Sequence, residues 1–291
     1  MDIIVKTKLA IRLDRYLRSL YPTITQGMIE KAIRKKDLKV KNKTGISASF
    51  RLYDGNMIYL YSGLVSSLPK IAAKKSTEKM QELSAIISQN IIFENDDFLA
   101  IDKPSGVASQ GGTGIDVSLD EALKVINGEY RLTHRIDKET SGIIIVAKNK
   151  EASIRLTGAF KDQKIKKKYS ATLVGIPKED KGLIESYISK KSVSLNVQKV
   201  VEDKEEGRLA ITEFEVIEKL DNNRCKVIFY PKTGRMHQLR FHSTQLGCYI
   251  EGDAKYGDVD PKSKVKLQLR AIYIKIPKKL FGYKEDIVIE A

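Results

Sequence analysis

The spacing of apolar positions along this chain changes near residue 90. Over residues 11–20 they fall at Ile11, Leu13, Tyr16, Leu17 and Leu20, with Arg12, Arg15 and Arg18 between them. This is the spacing of a short amphipathic helix, ended by Pro22. Thr25 is placed to cap a second helix over Gln26–Arg34, with Met28, Ile29 and Ile33 facing in and Lys31, Arg34, Lys35 and Lys36 facing out. Leu38 and Val40 then alternate with lysines up to a turn over 42–45, and a strand over 57–60 follows the turn Asp54-Gly55. Two short basic helices leading into a small hairpin are expected.

Ser66, Ser67, Pro69 and the lysine pair at 74 and 75 mark residues 63–90 as a linker carrying one helix around 77–87. Beyond it the pattern is mostly that of strands: 91–93 and 98–101 around an Asn95-Asp96-Asp97 turn, then 143–147, 168–174, 209–217 and 225–230. Helices are expected only over Leu119–Ile126 and 151–160. Many strands and few helices indicate an α+β domain with a mixed, mainly antiparallel sheet. The expected organisation is a small α/β module over 1–62, the linker, and a large domain over 91–291.

Composition excludes several classes. Charged and apolar fractions of 31% and 42% are those of a folded chain, and no apolar run approaches the ~20 residues of a membrane-spanning helix. The first eight residues lack a secretory signal pattern, so a cytoplasmic location is expected, without a membrane partner. Cys225 and Cys248, with 22 residues between them, suggest neither a disulfide framework nor a thiolate cage. With His134, His237 and His242 as the only histidines, no metal site is expected. The net charge of +15 is uneven: residues 1–80 carry 17 Lys and Arg against 6 Asp and Glu, while the other 211 carry 35 against 31. A small, strongly basic module points to a polyanion, and nucleic acid suits it better than a membrane because no amphipathic anchor accompanies it.

Four segments of the large domain could carry chemistry. Asp102-Lys103-Pro104-Ser105-Gly106, with Gly111-Gly112-Thr113-Gly114 after it, allows close backbone approach to a ligand, but no P-loop accompanies it. His134-Arg135-Ile136-Asp137, then Thr140-Ser141-Gly142, places an ionisable cluster on a turn feeding the apolar run 143–147. Asp137 there could equally cap a helix or pair with Arg135. In Lys166-Lys167-Lys168-Tyr169 an aromatic emerges from a basic run at the start of a strand, which suits stacking on a base beside its phosphate. The fourth segment runs from Thr233-Gly234-Arg235-Met236-His237-Gln238-Leu239-Arg240-Phe241-His242 to Asp253 and Tyr256.

These segments, in this order, resemble the RluA-type family of RNA pseudouridine synthases. The stretch 134–142 is similar to that family's HRLD-x-x-TSG signature and 234–242 to its GR-x-HQLR-x-H segment. With the glycine-rich stretch, the resemblance leans to the ribosomal large-subunit synthase C and D branch. In the first module, Arg12-Leu13-Asp14 and Asp54-Gly55-Asn56-Met57-Ile58 resemble the S4-like RNA-binding domain. Three positions depart from the pattern: Ile136 replaces Leu, and Gln110 and Arg270 stand where His is common. The last two bear on substrate choice more than on chemistry.

The resemblance implies a pseudouridine synthase fold, no cofactor, and 23S (large-subunit) ribosomal RNA as partner. It makes Asp137 the essential carboxylate, as nucleophile or as base, Arg240 the cation that keeps it ionised, and Tyr169 the aromatic that stacks on the uracil and assists loss of the C5 proton. Leu269 would pack on the other side of the base, and Arg135 would fill the space left by the flipped nucleotide. His134 would order the loop, while Arg235 and His237 complete the substrate-binding segment. Arg12, Arg15, Arg34, Lys35 and Lys36 become candidates for phosphate contacts. Two other classes remain open: a non-catalytic RNA-binding or ribosome-assembly protein, and a metal-dependent nuclease using Asp102, Asp137 and Asp253. Nothing in the sequence demands more than a monomer.

Overall fold

The structure, a computed structural model, describes residues 2–7, 10–21, 24–61, 73–112, 115–194, 197–257 and 265–291. It divides into two compact units, Met1–Glu78 with Gly112–Gly114, and Lys79–Gly111 with Ile115–Ala291.

In the first unit, strand β1 (Asp2–Ile4) precedes β2 (Ile11–Arg12), helices α1 (Leu13–Leu20) and α2 (Gln26–Arg34), and strands β3 (Leu38–Val40), β4 (Arg51–Leu52) and β5 (Met57–Leu60). The apolar helix faces close over a core containing Leu13, Leu17, Ile29, Leu38, Leu52, Ile58 and Leu60. The Thr25 hydroxyl caps α2 by accepting from the Met28 amide. Helix α1 starts two residues later than its apolar spacing suggests. Ile11 and Arg12 pair with β4, and the Leu13 and Asp14 amides donate to the Phe50 and Ala48 carbonyls instead of to a side-chain cap. Tertiary backbone partners thus replace the local cap.

The second unit begins earlier than the 63–90 linker allows. Helix α3 (Ala73–Gln89) crosses that range, and its Ile87 is fully buried in the large unit's core. Residues 62–72 lie outside the described residues. Next come β6 (Ile91–Glu94), β7 (Phe98–Lys103), α4 (Leu119–Ile126), β8 (Arg131–Leu132), β9 (Ser141–Ala147), α5 (Lys150–Lys161) and β10 (Lys166–Val174). They are followed by β11 (Lys181–Ser194), β12 (Val197–Glu202), β13 (Arg208–Leu220), β14 (Arg224–Pro231), α6 (Gln238–Gln245), β15 (Tyr249–Ile250), β16 (Leu269–Ile276) and β17 (Ile287–Glu290). The main path of the sheet is β12-β11-β13-β14-β10-β16-β9-β7-β6. Among the described residues every pairing is antiparallel except β16 against β9. No described helix is long and apolar enough to cross a membrane.

The run 143–147 is apolar without alternation because both faces of β9 are covered. Ile143, Ile145 and Ala147 pack with Leu156 of α5, while Ile144 and Val146 pack with Leu119 and Leu123 of α4. Strands β11 and β12 were not expected from the sequence. The adjacent apolar pairs Leu183-Ile184 and Tyr187-Ile188 break alternation, and the inward position between them is a serine, Ser186.

Gly142 sits where β9 meets both neighbours, opposite Lys103 and Ala271. Its φ is +103°, and a Cβ there would lie 2.1 Å from the Ala271 carbonyl oxygen. Only glycine permits this approach, which brings Leu269 of β16 to the end of the 134–142 turn. Gly142→Ala is therefore expected to destabilise the protein by about 2–5 kcal/mol, read as a lower urea midpoint with an unchanged m-value. An unaltered midpoint would show that β16 can move away.

Candidate active site

The turn ahead of β9 is fixed by the segments around it. Lys103, the last residue of β7, is fully buried, and its Nζ donates to the Pro104, Val107 and Lys138 carbonyls at 2.8, 2.8 and 3.1 Å. Ser105 Oγ donates to the Glu139 carbonyl, and Ser109 Oγ donates to the Ile136 carbonyl at 2.6 Å. His134 Nε2 accepts from the Ile145 amide at 2.9 Å, and its ring stacks on Phe160 at 4.1 Å between centroids. The segment read from sequence as able to approach a ligand is thus spent bracing the turn that carries Asp137. Thr113 and Gly114 of that segment lie outside the described residues.

Helix α6 forms the facing wall, and Gln238, Leu239, Arg240, Phe241, His242 and Ser243 are all buried. Arg240 closes a two-pronged ion pair on Asp253, Nε to Oδ2 at 2.8 Å and Nη2 to Oδ1 at 2.5 Å, with both side chains buried. Asp253 Oδ1 also accepts the Lys255 and Tyr256 amides. Burial opposes the charge of Asp253, but Arg240 and these amides hold its pKa below the usual carboxylate value. His237, in the left-handed region at φ 50°, heads the helix with Nδ1 2.9 Å from the Tyr256 hydroxyl. Gln238 Oε1 accepts from Thr233 Oγ1 and the Arg235 amide, tying the preceding loop down. His242 lies 3.0 Å from Ser186 Oγ and 2.8 Å from Thr212 Oγ1.

Between the two walls opens a cavity of about 390 Å³, and all eight residues singled out in the large domain line it: His134, Arg135, Asp137, Tyr169, Arg235, His237, Arg240 and Leu269. Among the described residues of the lining Asp137 is the one carboxylate, against Arg135, Lys161, Lys167, Lys232, Arg235 and Arg240. Burial raises the pKa of Asp137, opposed first by the charge of Arg240 and then by Arg135 and Lys255. Arg240 therefore acts on Asp137 through space, and its hydrogen bonds go to Asp253. Burial, and secondarily the charge of Asp137, push the Tyr169 hydroxyl well above its ordinary value. This upward shift disfavours a Tyr169 phenolate, and the side chain lines the cavity.

Several residues of the candidate segments had been given no role of their own. Lys167, Gln238 and Thr233 line the cavity, and Lys103 supports it from outside. The sequence signal for Lys103 was its place beside Pro104 at the end of an apolar strand. Arg270 donates from Nη2 to Asp102 Oδ2 at 2.7 Å. Asp102 and Asp253 are thus each committed to an arginine, and no cluster of metal-ligating side chains occurs among the described residues. In the first unit Arg15, Arg34, Lys35 and Lys36 are exposed, whereas Arg12 is engaged by Asp14 at 2.7 and 3.0 Å.

A mostly buried carboxylate in a cationic, aromatic-lined cavity is a site for one unit of a polyanion. Residues 97–245 match the RNA pseudouridylate synthase family. The ribosomal large subunit pseudouridine synthase C of Rickettsia bellii is 41% identical, over 100% of this chain and 97% of its own length. The protein of the same description from Vibrio vulnificus is 33% identical over 85% of this chain and 76% of its own. Among solved structures, human RNA pseudouridylate synthase domain containing 1 superposes with a TM-score of 0.58 at 28% identity, over 69% of this chain and 82% of that one. The chain belongs to the RNA pseudouridylate synthase family, isomerases that convert uridine in RNA to pseudouridine.

The histidines carry a pH prediction. Burial, aided by Lys167 at His134 and by Arg240 at His237, lowers the pKa of both to about 3 and burial lowers that of His242 to about 4. A folded-state value below the unfolded value of ~6.5 means that the unfolded chain takes up protons first as pH falls. The stability they contribute is complete above pH ~6.5 and is lost toward pH ~3 to 4, at up to about 1.4 kcal/mol per pH unit for each fully neutral histidine. Asp137, shifted upward, works in the opposite sense and offsets part of one of them. Urea midpoints should fall steadily from pH 7 to pH 5, and a flat profile would contradict neutral buried histidines.

Proposed function

We propose that this protein isomerises uridines in large-subunit ribosomal RNA, in the cytoplasm, with Asp137 as the carboxylate that acts at the sugar. The observation carrying this is the position of Asp137 as the single carboxylate, among the described residues, of a cavity whose walls supply an aromatic face, Tyr169, an apolar face, Leu269, and several cations. The relatives named for the large ribosomal subunit support the choice of RNA.

The reaction breaks the C1′–N1 bond, turns the uracil and joins C5 to C1′, so no atoms or electrons are gained or lost overall. Three things are required: an ionised carboxylate near C1′, a clamp for the detached base, and removal of the nucleotide from its stack. The charge of Arg240 favours the ionised form of Asp137 against burial. Tyr169 and Leu269 hold the base between them while it rotates. Arg135, exposed at the cavity, takes the place vacated in the RNA. His134 accepts a backbone amide, and His237 is bonded to Tyr256. Both are neutral and position their segments without exchanging protons with substrate. All these groups come from one chain, so the monomer suffices.

We assign the first unit to RNA delivery as an S4-like domain. Support comes from its charge surplus and from the exposed Arg15, Arg34, Lys35 and Lys36 around the end of α2 and on α1. Such contacts add affinity and orientation without reading sequence.

Asp137→Asn is expected to lower isomerisation roughly 10³–10⁶-fold, with RNA affinity within several-fold of wild type. Pseudouridine formation on a large-subunit ribosomal RNA transcript measures this, and turnover close to wild type would refute the role of Asp137. Replacing Arg15, Arg34, Lys35 and Lys36 together by Gln should reduce the slope of log Kd against log salt by roughly 2–3. An unchanged slope would remove this surface from RNA binding.

A further inference from the structure

A second cavity, of about 300 Å³, opens beside the first and shares Gln163, Lys167, Pro231 and Lys232 with it. Its floor is one face of the sheet where β10 runs between β14 and β16. Lys166 and Lys168 stand two apart on β10 and therefore share that face. Lys166 lies opposite Lys275, and Lys168 lies opposite Tyr273. Tyr230 follows Phe229, the partner of Tyr169, and so stands beside Lys168 from the other neighbour. The Lys168 ammonium is 4.4 Å from the Tyr273 ring centre and 6.0 Å from that of Tyr230. Two aromatic rings thus hold a cation in place while its donors remain available.

Three acidic groups nearby are engaged. Glu213 pairs with Lys232, Asp286 pairs with Lys275, and Glu215 accepts from the Tyr230 hydroxyl. Lys166, Lys167 and Lys168 have no carboxylate partner among the described residues. Lys167 is also shifted downward by burial, so an anion at the junction of the two cavities would supply the counter-charge it lacks. A base in the first cavity carries its chain of phosphates with it, and the adjoining cavity presents ammonium groups within reach of that chain.

We propose that the second cavity seats the backbone phosphate of a nucleotide flanking the flipped uridine, held by Lys168 and Lys166, with Lys167 between the two cavities. This rests on the RNA isomerase reading above. The subsite fixes which way the RNA strand leaves the active site, and so contributes to the choice of uridine through position, not through base identity.

The test compares three full-length variants on a large-subunit ribosomal RNA transcript: Lys166→Gln with Lys168→Gln, the same pair changed to Arg, and Lys178→Gln with Lys204→Gln. The last two lysines are exposed and line neither cavity. The expected result for the first variant is a KM raised at least ~5-fold with kcat within ~2-fold. Its slope of log Kd against log salt should be shallower by about 1. The Arg pair should restore both, the control pair should leave both unchanged, and thermal midpoints should be equal throughout. An unchanged KM, a loss confined to kcat, or an equal loss in the control pair would overturn the subsite. Absence of pseudouridine with the wild-type protein would instead overturn the function on which it rests.

Discussion

The α6 wall of the cavity depends on the buried ion pair between Arg240 and Asp253. A guanidinium buried in an otherwise uncharged helix would be costly, and Asp253 offsets that cost with two charge-assisted hydrogen bonds of near-parallel geometry. Removing either partner would leave a buried charge uncompensated, which typically costs about 3–5 kcal/mol. The same carboxylate orders the Lys255 and Tyr256 amides. Through the Tyr256 hydroxyl, which accepts the Val200 amide and meets His237, the pair joins α6 to β12. Asp253 takes the Nε and one Nη2 donor of Arg240, and the charge of Arg240 favours the ionised form of Asp137 against burial.

The opposite wall follows a different rule. There three carbonyls of the turn 134–142 are held from outside it: Lys103 and Ser105 reach Lys138 and Glu139, and Ser109 reaches Ile136. Lys103 tolerates full burial because three carbonyls replace its water. Side chains on the turn are thereby left for the cavity, and Gly142 lets β16 close the far end with Leu269. One wall is thus an ion pair with its hydrogen-bonded extensions, and the other is a carbonyl cage around a lysine. Asp137 lies between them.

The correspondence between sequence and site has a definite limit. Asp137, Tyr169 and Arg240 could be named because each sits in a short run of unusual residues, and their roles came from a resemblance. That Arg240 bonds to Asp253, 13 positions away and across a loop, has no local signature. The partnership of Arg270 with Asp102, 168 positions apart, has none either. Helix α6 is polar in sequence yet buried, since Gln238, Arg240 and His242 each find tertiary partners, so no amphipathic period announced it. Strand β11 escaped for a related reason, its inward Ser186 being matched to His242.

What the sequence determined by itself was whatever depends on local chemistry. It placed the charge surplus in the first 80 residues, the capped helix after Thr25, the doubly covered strand at 143–147, and the turn with an ionisable cluster beside it. These follow from spacing, propensity and composition, which act over a few residues. Tertiary structure alone decided the later start of α1, the entry of α3 into the large unit's core, and the burial that lowers the pKa of His134, His237 and His242 and raises that of Tyr169. It also set two cavities side by side along β10. Each of these depends on which groups lose water and which distant partners replace it, and that is fixed only when the sheet has formed.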